Sequence, residues 1–119
     1  MGELPTNVSP KWLIEMSDAS TKPRLVDVRK RPAFESSGRM ISGAVWRDHE
    51  TVEKWGKALA SEKQLIVYCV HGHEVSQNAV AVLVSMGIEA RYLQGGFEAW
   101  LEAGGDVIEV AGNAGPEGE

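Results

Sequence analysis

The run Leu65-Ile-Val-Tyr68 constrains this chain more than any other stretch. It is apolar throughout and lacks the alternation of a strand with one wet face. It therefore predicts a short strand covered on both faces, the pattern of parallel sheets flanked by helices. The run ends at Cys69, the only cysteine in 119 residues. A short polar loop containing Gly72 follows, and then Val75–Met86 at helical spacing. One thiol thus stands where a buried strand stops and a helix starts. N–H groups of such a loop and of the helix N-terminus both favour a thiolate.

The rest of the chain repeats the alternation. Ser9-Pro10 supplies a capping hydroxyl and then proline at the first helical position, with Trp12, Leu13 and Met16 on one face. Arg24–Val28 reads as a buried strand, Pro32–Ser37 as a short helix, Gly38–Gly43 as a loop and Ala44–Trp46 as a strand. Asp48–Ala60 is expected to be helical, with Val52, Trp55, Gly56 and Leu59 on one face. In Val75–Met86 the apolar face is Val75, Ala79, Val82, Leu83 and Met86, with Gly87 as the stop. Arg91–Leu93 is a further strand, Gly95-Gly96 leads into a helix over Phe97–Ala103, and Val107–Val110 is extended or irregular. Strands alternating with helices predict an α/β fold, a parallel sheet with helices on both faces. Ligands of such sheets bind beyond the carboxyl ends of the strands, where Cys69 lies. The expected organisation is a flexible N-terminus over 1–8, one domain over 9–110 and a disordered acidic tail over 111–119.

Composition narrows the function. At 43% hydrophobic and 24% charged residues the chain suits an ordinary globular domain, and no apolar stretch approaches the about 20 residues of a membrane span. Residues 1–60 carry ten Lys and Arg against eight Asp and Glu, whereas residues 61–119 carry two against nine. An acidic second half argues against nucleic acid as a partner. Arg29, Lys30 and Arg31 form a basic cluster that either attracts an anion or is a solvated loop. A lone cysteine makes no internal disulfide, and Met1–Lys11 lacks the basic-then-apolar pattern of a secretory signal. Both lead to the expectation of a reducing cytoplasm.

The loop carries the chemistry. Val70, His71, Gly72, His73, Glu74 and Val75 can curl so that successive N–H groups face the sulfur, with Gly72 permitting the turn. Such a cradle suits a terminal anionic sulfur, as in a persulfide. The competing reading of Cys69 is a small buried hydrophobe, but strand, glycine loop and helix all converge on it. Cys69, His71 and His73 are too tightly spaced for a zinc site and lack a fourth ligand unless Glu74 or His49 supplies one, so no metal and no cofactor are expected. His71 and His73 either assist proton transfer and anion binding or are solvated side chains. With one thiol, turnover must use an external acceptor: a small thiol, cyanide or a partner protein's cysteine.

Asp27-Val28-Arg29, Phe34, Ile41-Ser42-Gly43-Ala44, Val67-Tyr68-Cys69 with Gly72, and Leu93-Gln94-Gly95-Gly96-Phe97-Glu98-Ala99-Trp100 occur in the order and spacing of a known family. Over residues 24–105 the chain resembles a single-domain rhodanese of the thiosulfate sulfurtransferase class. The resemblance implies a five-stranded parallel sheet. It also implies a catalytic Cys69 that takes a sulfane sulfur from thiosulfate or a persulfide and passes it to a thiol or cyanide, the donor or acceptor being a small molecule or a protein. It places Asp27 and Arg29 near the floor of the site, where the carboxylate holds loop N–H groups and the arginine pairs with it, or where the two form a structural ion pair. The Gly95-Gly96 turn is read as close packing, and Trp100 as core. The chain departs from the family pattern at Val70 and Glu74, where basic or hydroxyl residues are usual, and at Met40, where histidine is usual. An inward Glu74 repels thiosulfate. Two other functions compete. A phosphatase or arsenate reductase needs an arginine six residues after the cysteine, where this chain has Val75. A non-enzymatic redox-sensing or sulfur-binding module needs only a modifiable thiol.

Overall fold

In the computed structural model, which describes residues 6–16, 23–60 and 64–110, Leu65–Tyr68 is the central strand of a five-stranded parallel sheet. The described residues run β1 (Asn7–Val8), α1 (Pro10–Met16), β2 (Arg24–Asp27), α2 (Arg31–Ser37), β3 (Arg39–Ile41), β4 (Val45–Trp46), α3 (Val52–Ala60), β5 (Leu65–Tyr68), α4 (Glu74–Ser85), β6 (Ala90–Leu93), α5 (Gly96–Glu102) and β7 (Val107–Glu109). The sheet order is β1-β6-β5-β2-β4. Val67 in β5 stands between Val26 in β2 and Tyr92 in β6.

All four β5 side chains are fully buried, and alternation along the strand sends them to two cores. Leu65 and Val67 join Val26, Val28, Trp55 and Leu59 from α3, and Ala79, Val80 and Leu83 from α4. Ile66 and Tyr68 join Val8, Leu13 from α1, Ile41, Leu93, and Phe97 and Trp100 from α5. Burying each large apolar side chain stabilises the fold by about 1.5–3 kcal/mol, so a strand that serves two cores at once sets the layout. Ser9 caps α1 as its sequence indicates: its Oγ accepts from Trp12 N at 3.0 Å.

Four elements differ from the sequence reading. Asn7–Val8, grouped there with a flexible N-terminus, pairs in parallel with Tyr92–Leu93 of β6; residues 1–5 and the acidic tail over 111–119 lie outside the described residues. Gly38–Gly43 is not simply a loop, because Arg39–Ile41 pairs antiparallel with Val107–Glu109 in a separate two-stranded sheet. The α3 helix begins at Val52 rather than Asp48, since the Asp48 carboxylate takes Glu50 N at 2.9 Å and its carbonyl takes Trp55 Nε1 at 2.8 Å. That Asp-centred turn competes with helix for the same N–H groups. Finally, the fully buried positions of α4 are Ser76, Ala79, Val80 and Leu83: Ala79 and Leu83 belong to the expected face, while Ser76 and Val80 rather than Val75, Val82 and Met86 complete it. Val75 and Val82 pack only at the margin of that core.

Candidate active site

The parallel sheet brings the carboxyl ends of β2 and β5 side by side, with Asp27 opposite Tyr68 in the ladder. Val28 N continues the pairing by donating to Tyr68 O at 2.9 Å. Cys69 leaves β5 there, and Arg29 leaves β2. A pocket of about 220 Å³ opens between them, lined by Arg29, Lys30, Ala33, Cys69, Val70, His71, His73, Glu74 and Val75. Every loop residue expected at the site lines it except Gly72, which is turned away into packing against the next loop.

That packing fixes the Cys69 loop. The first N–H groups of α5 donate to it: Phe97 N to Cys69 O at 2.8 Å, and Glu98 N to Val70 O at 3.1 Å. The two backbones approach so closely that a Cβ on Gly96 would stand 2.5 Å from Cys69 O, 2.6 Å from Gly72 N and 2.6 Å from Val70 O. Gly96 also has φ +64°, a conformation that costs other residues about 1–2 kcal/mol. Gly96→Ala is therefore expected to lower stability by about 2 kcal/mol or more, read as an earlier midpoint in urea unfolding. An unchanged midpoint would show that the loop yields freely. The Gly95-Gly96 pair thus serves close approach, and Trp100 is core, its Nε1 donating to Asp106 O at 2.9 Å.

Cys69 is 5% exposed and faces the pocket. Its Sγ lies 3.1 Å from Ser76 Oγ, in the first turn of α4. Ser76 is a site residue the sequence reading missed, although one signal was present. A hydroxyl at 76 falls at helical spacing with the apolar 79, 80 and 83, and a hydroxyl on an apolar stripe needs a partner. The main-chain N–H groups of Val70, His71, Gly72 and His73 find no acceptor among the described residues.

Asp27 and Arg29 form the structural ion pair, one of the two readings of them. The Asp27 carboxylate does not hold the N–H groups of the 70–75 loop. Its Oδ1 accepts from Arg29 N and Arg29 Nε, both at 3.0 Å, and its Oδ2 accepts from Arg29 Nη2 at 2.7 Å and from the Tyr68 hydroxyl at 3.0 Å. The Tyr68 oxygen in turn accepts Ile41 N at 3.1 Å, and Arg29 Nη2 also reaches Arg39 O at 2.7 Å. The guanidinium lies 4.3 Å from the Phe97 ring centroid and 5.4 Å from that of Phe34. One buried ion pair thus ties β2, β5, β3 and α5 together beneath the pocket. Burial, followed by the Asp27 charge, pushes the Tyr68 phenol well above its ordinary range, which keeps it a hydrogen-bond donor to Asp27.

The basic cluster is likewise divided. Arg29 is committed to Asp27, and Arg31 pairs with Glu35 at 2.9 Å and lies over Trp46. Lys30 is left exposed at the pocket mouth. His71 and His73 are exposed there too, their ring centroids 6.0 Å apart. Met40, where the family pattern has histidine, is buried against Phe34 and Trp46. Among the described residues no three His, Cys, Asp or Glu side chains gather as a metal site, and no helix is long and apolar enough to cross a membrane.

Residues 9–103 match the family described as Rhodanese-like domain. The thiosulfate sulfurtransferase GlpE of Shewanella oneidensis is 33% identical over 98 residues, covering 82% of this chain and 93% of that protein. The thiosulfate sulfurtransferase GlpE of Pseudomonas fluorescens is 38% identical over 77 residues, covering 64% of this chain and 68% of that protein. Among solved structures, a rhodanese-related protein from Thermoplasma volcanium superposes with a TM-score of 0.73 at 24% identity, over 87% of this chain and 97% of that one, a likeness of fold.

Proposed function

Because the chain belongs to the rhodanese-like domain family, we propose that it is a sulfurtransferase with Cys69 as its nucleophile. The observation that carries this reading is the position of Cys69: at the end of the central strand, facing a pocket, in a loop whose N–H groups are uncommitted. The Cys69 thiolate attacks the outer sulfur of the donor. The Sγ–S bond forms as the donor's own bond to that sulfur breaks, and sulfite or a thiolate leaves with the electron pair. The resulting persulfide carries its terminal sulfur into the pocket, where the loop N–H groups and the start of α4 favour its negative charge. An acceptor thiol or cyanide then takes the outer sulfur, and Cys69 returns as thiolate. The lone thiol suits a reducing compartment such as the cytoplasm. The test is turnover: many equivalents of thiocyanate per protein, with cyanide as acceptor, support an enzyme. A single stoichiometric modification of Cys69 that cyanide does not renew would mark a sensor instead.

The charges at the mouth bear on the donor. Lys30 and Glu74 form no ion pair with other described residues, whereas Arg29 is neutralised by Asp27. One positive and one negative group suit a thiol persulfide of low net charge better than the thiosulfate dianion. Glu74→Gln is expected to raise kcat/KM for thiosulfate roughly three- to tenfold at low salt, with little change for an uncharged persulfide donor. The gap should shrink as salt is added. Equal effects on both donors would remove Glu74 from donor selection.

A further inference from the structure

We propose that Ser76 is a catalytic hydrogen-bond donor to the Cys69 sulfur, acting mainly when the persulfide is discharged; this rests on the sulfurtransferase reading. Ser76 is fully buried, and its Oγ, 3.1 Å from Sγ, has no other hydrogen-bond partner among the described residues. No buried side-chain nitrogen or oxygen among the described residues is without a partner, so this hydroxyl is satisfied through the sulfur. Its place is set where the Cys69 loop turns into α4. Gln77, the next residue of α4, anchors the helix start to the loop, with N donating to His73 O at 3.0 Å and Nε2 to Gly72 O at 2.9 Å.

The chemistry follows from which state of sulfur accepts a hydrogen bond best. As a thiol, Cys69 donates its proton toward Oγ. As a thiolate it has no proton, and the Ser76 O–H turns to donate to it. In the persulfide Sγ is a neutral disulfide-type sulfur and a poor acceptor. The bond is therefore strongest before loading and after discharge. On discharge an acceptor thiol attacks the outer sulfur of the anionic persulfide, Cys69–S–S⁻. The new S–S bond forms, the Sγ–S bond breaks, its electron pair returns to Sγ, and the acceptor's thiol proton ends on the outer sulfur of the acceptor's persulfide. Negative charge develops on Sγ as that bond breaks, where Ser76 meets it. A donor aimed at charge that appears only in the transition state lowers the barrier rather than strengthening the ground state.

The test compares wild type, Ser76→Ala and Ser76→Thr, each first checked for an unchanged circular dichroism spectrum. Two measurements are made: the pH–rate profile for alkylation of Cys69 by iodoacetamide, and single-turnover discharge of the loaded protein to cyanide or a thiol. Ser76→Ala is expected to displace the alkylation profile toward alkaline pH by about one pH unit and to slow discharge near neutral pH about tenfold. Ser76→Thr, which keeps the hydroxyl, is expected to recover most of both. A Ser76→Ala variant with the wild-type profile and discharge rate would overturn the proposal. So would a Ser76→Thr variant as impaired as Ser76→Ala while equally well folded. If wild type accepts no sulfur from thiosulfate or a persulfide, the sulfurtransferase reading fails by itself. The alkylation profile still decides whether Ser76 serves the thiolate.

Discussion

Cys69→Ser is expected to abolish sulfur transfer with every donor, a fall of at least about a thousandfold in kcat/KM, while the fold persists. Serine is nearly isosteric, so the buried environment around Ser76 and the pocket should survive. What is lost is chemical. A hydroxyl at this position is almost entirely protonated at neutral pH, and an oxygen–sulfur adduct cannot relay sulfane sulfur as a persulfide does. The chain has no second cysteine to substitute for it. Thiocyanate formation from thiosulfate and cyanide, or sulfide release with a thiol acceptor, measures the effect directly. Residual turnover of even a tenth of the wild-type rate would mean that another group carries the sulfur.

Asp27→Ala has the largest expected effect on stability. The Asp27 carboxylate is the counter-ion of Arg29, whose side chain is 1% exposed, and it is the acceptor for the buried Tyr68 hydroxyl. Removing it leaves a guanidinium and a phenol in the interior without their acceptor. Breaking one side of a buried pair costs about 3–5 kcal/mol, against a total stability of about 5–15 kcal/mol for a domain of this kind. Urea unfolding should show a loss of that size. The paired replacement Asp27→Leu with Arg29→Met should recover much of it, because no charge is then stranded. A loss below about 1 kcal/mol in the single variant would mean that water reaches Arg29 and that the pair is not the floor described above.

The same two regions show what sequence reveals and what it hides. Leu65–Tyr68 was legible because a continuous apolar run has one economical solution, a strand covered on both sides, and the loop after it was legible because its residues are adjacent in the chain. The α1 start was legible because Ser9 acts on Trp12, three residues away. The pairing of β3 with β7 was not, because Arg39–Ile41 meets Val107–Glu109 only through the tertiary fold. The pairing of Asp27 with Arg29, two residues apart, was legible, but its bond to Tyr68 was not, since Tyr68 reads locally as one more strand residue and its hydroxyl is placed by the β2–β5 register. Ser76 lies between these cases. Its spacing put a hydroxyl on the buried side of α4, but only the turn from Cys69 into the helix shows that the sulfur is its partner. Glu74 and Lys30 were visible as charges, and the pocket between β2 and β5 makes them neighbours of one mouth.

The central claim is that Cys69 accepts and surrenders a single sulfur atom. Intact-protein mass spectrometry after treatment with thiosulfate or a small persulfide tests it most directly. A gain of one sulfur atom is expected, mapped to the peptide containing Cys69 and removed on adding cyanide. An untouched mass with every sulfane donor, or a gain that maps elsewhere or persists in Cys69→Ser, would contradict it.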